Sequence, residues 1–87
     1  MDLRSESERN LEAQARSPLD PKHEQIARQL CSLVRSDDRN SIQSLGQQLF
    51  DEGGHKLMVL LHYRVLALGG ITSTVSPYWD GVGKWQL

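Results

Sequence analysis

Large apolar residues fall into three blocks separated by acidic and glycine breaks, and the spacing inside each block predicts helix. Ile26, Ala27, Leu30, Leu33 and Val34 form one stripe at helical spacing. Asp20 ahead of them is a good N-cap, and Pro21 suits a first helical turn because its φ is fixed and its missing N–H would be unpaired there anyway. A helix is therefore expected over 21–35. Ser36-Asp37-Asp38 breaks the pattern and supplies caps. Ile42, Leu45, Leu49 and Phe50 then share one face of a helix expected over 38–52, with Gly46 in the middle of that face. A glycine there costs up to about 1 kcal/mol against alanine, so close approach of a neighbouring helix is expected. Gly53-Gly54 ends the block, and so short a joint favours an antiparallel hairpin of helices.

The third block is different in kind. From His55 to Leu68 the apolar residues point in almost every direction around a helix axis, the signature of a helix buried on all sides. Gly69-Gly70 stops it. The flanking segments are less regular. Residues 1–19 are polar and mixed in charge, with Leu3, Leu11 and Leu19 as the large apolar residues. Ser5 with Glu8 resembles a capping box, and Glu12 can pair with Arg16 one turn on. With so little to bury, this segment reads as a disordered tail, leaving 20–87 as the folded domain. At the other end, Ile71–Val75 suits extended chain. Ser76-Pro77 suits a short helical turn through Trp79, and a hairpin turn at Asp80-Gly81 is the alternative.

The expected architecture is all-α, a three-helix bundle (about 21–35, 38–52 and 55–68) with an aromatic C-terminal segment packed on it. A core this small is only marginally stabilising. Two amphipathic helices do not cover an all-apolar third one, so a lid is required. Tyr78, Trp79 and Trp85 form the lid in one version, since each ring buries about 150–250 Å². A second copy of the chain or another protein forms it in the other.

Charge and composition narrow the function. A formal net charge of -1 with 24% charged residues gives no basic face for nucleic acid: Arg28, Arg35, Arg39 and Lys56 are scattered and offset by acids. The start of the chain lacks a basic run followed by an apolar stretch, which argues against a secretory signal. The longest apolar run, interrupted by His62 and Arg64, falls short of the roughly 20 residues of a membrane span. One cysteine, Cys31, excludes an internal disulfide framework and fits a reducing compartment. A cytoplasmic protein is the expectation.

No pattern of catalytic or ligating residues emerges. His55 and His62 are seven apart, where a helical metal pair uses four, and read as a polar seam. His23 reads as a packed, neutral histidine, and Cys31 as a small apolar residue. The glycine pairs lack the context of phosphate loops. No cofactor and no metal are expected. Arg64 falls between Leu57 and Leu60 on the helical wheel. It either snorkels to water or needs a partner, because an unpaired buried charge is very costly. Asp80 is the expected partner, docking the C-terminal segment.

The ending Trp79-Asp80-Gly81-Val82-Gly83-Lys84-Trp85 resembles the W-D-G-[IV]-G-x-W ending of small, uncharacterised bacterial proteins, in which a G-G-x-x-L-M stretch precedes the aromatic tail. Here that stretch is Gly53-Gly54-His55-Lys56-Leu57-Met58. The resemblance spans about residues 38–87 and implies a compact helical protein, with no activity or cofactor attached. The function expected is a non-enzymatic protein-interaction module or small homo-oligomer, anchored through Tyr78, Trp79, Trp85, Arg64 and Asp80, because aromatic and arginine side chains dominate binding energies. The alternative is a small-molecule or regulatory ligand site between helix 55–68 and the aromatic segment.

Overall fold

A helix begins at Pro21 as expected, with Asp20 in the N-cap position, although the Asp20 carboxylate makes no capping bond and faces His23 Nδ1 instead. In the computed structural model, which describes residues 6–69, 74–83 and 85, the elements are α1 (Glu6–Gln14), α2 (Pro21–Arg35), α3 (Arg39–Gly69) and α4 (Ser76–Trp79). The described residues contain no strand, so the all-α class holds. The count of three is exceeded by α1 and α4. The break expected between helices 38–52 and 55–68 is real: they are two arms of α3, interrupted at Gly54 (φ 73°, ψ −164°). That backbone geometry favours a residue without a Cβ. A straight helix of 31 residues would run about 46 Å, yet the longest dimension of the molecule is 34 Å. The chain therefore changes direction at the glycine.

The joint between α2 and α3 explains the Ser36-Asp37-Asp38 break. Asp38 N–H donates to Leu33 O and Asp37 N–H to Val34 O, the paired bonds of a Schellman ending. Asp37 takes the left-handed conformation this requires (φ 54°). Asp38 then caps α3: Ser41 N–H donates to Oδ1 at 3.3 Å and Ser41 Oγ–H to Oδ2 at 2.9 Å. At the far end, Lys22 and His23 reach Glu52, so α2 and the first arm of α3 run antiparallel.

The core lies where α2, both arms of α3 and α4 meet. Leu30, Ile42, Leu49, Met58, Leu61 and Trp79 are among its fully buried side chains. Gly46 is explained by close approach, though of a ring rather than a helix. A Cβ at Gly46 would stand 2.4 Å from Trp79 Nε1 and 2.7 Å from its Cδ1.

The polar segment expected to be disordered is helical over Glu6–Gln14 and packs on α3. Two features dock it: Ala15 is buried and Leu11 packs against the core. Glu12 and Arg16 do pair, at 3.9 Å, but on the surface, where such a pair is worth little. Ser5 and the Glu8 side chain of the expected capping box lie outside the described residues, as do positions 71–73 of the expected extended stretch.

Candidate functional site

The aromatic segment closes the core. Val75 precedes a single helical turn, α4, whose Trp79 is fully buried. Its indole N–H donates to Ile42 O at 2.9 Å, which satisfies the one polar atom of the ring. Trp85 is 8% exposed. It meets Trp79 edge-on with ring centroids 5.0 Å apart, and its N–H donates to Ser76 Oγ at 3.2 Å. Tyr78 is half-buried; its hydroxyl donates to Asp37 at 2.5 Å and the Arg39 guanidinium lies over its ring. The hydrogen bond to the Asp37 carboxylate raises the Tyr78 pKa. The chain thus supplies its own lid: the helical turn α4 forms, and a tight turn at Asp80-Gly81 follows it, Val82 N–H donating to Trp79 O at 2.8 Å, without paired strands among the described residues.

His55 and His62 both face Trp85, with ring centroids 5.7 and 5.4 Å away. The polar seam expected of them is not what forms at His62. That ring is 4% exposed, and its Nδ1 is buried with no hydrogen-bond partner. Burial lowers its pKa from 6.5 to about 4, so it is neutral near pH 7. Among the described residues no three His, Cys, Asp or Glu side chains gather into a metal site. Where the second arm of α3 meets the aromatic segment, the rings of His55, His62, Trp79 and Trp85 lie against one another.

Arg64 is buried, and its partner is not Asp80. Nε and Nη2 donate to the two oxygens of Glu24 at 2.9 and 2.8 Å, and Nη1 donates to Ala15 O at 3.1 Å. Asp80 is exposed beyond α4. Glu24 Oε1 also accepts from Leu19 N–H at 3.0 Å. One guanidinium therefore fastens α3 to α2 and to the end of α1. The hydrogen bonds from Arg64 hold the Glu24 carboxyl down at about 2, against the opposing effect of its burial. The fork geometry of arginine suits such a two-oxygen grip.

His23 also departs from expectation. It is not packed among apolar groups but lies between carboxylates, Nδ1 at 2.7 Å from Asp20 and Nε2 at 2.6 Å from Glu52. Cys31 is buried as expected, its Sγ 3.8 Å from Val65 O, and burial raises its thiol pKa.

With the aromatic anchors spent on the core, an exposed apolar side chain elsewhere marks a second surface. Among the described residues, Leu68, at 38% exposure, is the large apolar side chain that stands out to solvent. It sits in a groove of about 220 Å³ with Arg28, Cys31, Ser32 and Arg35. Positions 28, 31, 32 and 35 follow helical spacing along one edge of α2, with Arg28, Ser32 and Arg35 exposed and Cys31 buried. That spacing was visible in the sequence; that Leu68 from α3 lies alongside it was not. No family model matches the chain, and neither curated proteins nor solved structures yield a match. No helix among the described residues is long and apolar enough to cross a membrane.

Proposed function

We propose that this chain is a non-enzymatic protein-interaction module that engages its partner through the edge of α2 that meets the end of α3. The supporting observation is the groove of Leu68 and Cys31 flanked by Arg28 and Arg35. It combines an apolar floor, a feature of the centre of interfaces, with arginine, a residue enriched there. Tyr78, Trp79 and Trp85, the anchors suggested by sequence, are committed to the chain's own fold. A self-assembling pair joined at the same groove is the homo-oligomeric form of this reading.

The test compares the protein with Leu68→Asp. This exposed position tolerates a carboxylate, so melting should change little. Retention of a protein from the source lysate, or of a second copy in sedimentation, should be lost in the variant. Equal retention by both proteins, or a monomer that retains nothing, overturns the proposal.

A further inference from the structure

We infer that the partner segment is an acidic amphipathic helix of a different protein, carrying two carboxylates seven residues apart with a leucine-like side chain between them. This rests on the groove being the contact face, as proposed above, and adds the chemistry of the occupant.

Arg28 and Arg35 are seven positions apart on α2, so their stems rise from one helical face about 10 Å apart. Both charges are available. Arg35 has no ion-pair partner among the described residues. Arg28 is 74% exposed, and its nearest carboxylate, Glu24, stands 3.7 Å away with both oxygens already taken by Arg64. Between the arginines lie Cys31 and Leu68, an apolar floor for one side chain. A helix laid along α2 repeats this geometry, since residues seven apart on it are also about 10 Å apart on one face, with positions three and four between them.

Sequence decides between a second copy and another protein. None of the chain's 11 Asp and Glu residues has another acidic residue seven positions on. A helix of a second copy therefore cannot offer both carboxylates to the two arginines, whereas a separate acidic protein can.

The probe is a short alanine-rich helical peptide with glutamates seven residues apart and leucine midway, followed by amide shifts of the intact protein. Shifts are expected at residues 28–35 and 68, weakening as salt rises. Reversing either arginine, with Arg28→Glu or Arg35→Glu, should weaken binding about threefold to tenfold. The double reversal should instead favour a peptide with lysines in place of glutamates. Absence of shifts, shifts elsewhere, or equal binding of the lysine peptide by the wild type overturns the inference. So does arginine-dependent binding to phosphatidylserine vesicles without peptide binding, which would point to a membrane surface. If Leu68→Asp abolishes partner capture yet the acidic peptide fails, the groove stands as a contact face and the acidic helix does not.

Discussion

Trp79 and Trp85 cover α3 by burying rings, whereas α1 and the start of α2 are fastened to it through the guanidinium of Arg64. The ring contacts gain from area removed from water and shape fit, and need no charge. The Arg64 contact works by geometry. It collects two oxygens of Glu24 and the Ala15 carbonyl, and it fixes where two other segments lie. Its net worth is smaller than its bond count suggests, because the charges were well solvated before folding. Yet together with Leu11 and the buried Ala15 it gives a helix as polar as α1 a definite place. An apolar lid decides whether this chain folds; the polar staple decides how its N-terminal elements are arranged.

Trp79→Ala is the most severe break on this view. Loss of a fully buried tryptophan costs about 3–5 kcal/mol, enough to unfold much of a domain this small, as urea titration would show. Gly46 reports on the same contact more gently. Gly46→Ala should gain helix propensity of about 1 kcal/mol but lose more, about 1–3 kcal/mol, to overlap with the indole. In a Trp79→Leu background that cost should shrink or reverse. An identical cost in both backgrounds would show that Gly46 is not shaped by the ring.

At the other end, Arg64→Met should cost about 2–4 kcal/mol, largely because Glu24 is left in a semi-buried position without its partner. Replacing Glu24 with Leu as well should recover most of the loss, and additive costs would mean the pair does not act as a unit. The pair also has a pH signature. The Glu24 pKa is depressed in the folded state, so its contribution is present above 4.5 and disappears as pH falls toward about 2. On the order of 2 kcal/mol should be lost across that window in the wild type, and little in Arg64→Met.

The two regions differ in how far they could be read from sequence. Asp20-Pro21, the apolar stripe of α2, the acidic joint and the stop at Gly53-Gly54 are local signals, and each marks a real feature. Gly46 gave the right physical reason, close approach, without its cause, because Trp79 comes from 33 positions away. Arg64 gave the right need and the wrong partner. Its wheel position said a counter-charge was required, but nothing local says that Glu24, 40 positions earlier, is nearer than Asp80. The composition of α1 failed as a guide because its docking depends on Ala15 and Leu11 meeting a surface made by distant residues. The Arg28–Arg35 groove was half legible: the stripe on α2 is a sequence pattern, while its Leu68 floor arises only on folding.

The pH response of the aromatic end separates the two ends most cleanly. His62 lies under Trp85 with its Nδ1 unpaired, and burial lowers its pKa from 6.5 to about 4. Between those values the unfolded chain takes up a proton and the folded one does not, so stability falls with pH through that interval and levels off below it. The loss at the aromatic end is about 1–3 kcal/mol and precedes the Glu24 loss on acidification. His62→Phe should keep the ring contact, remove the unpaired nitrogen and flatten the curve between 6.5 and about 4, with the slope at lower pH retained. If the upper slope survives in His62→Phe, the protonation sensed there belongs to another group, and the contrast between an uncharged lid and a charged staple loses its pH expression.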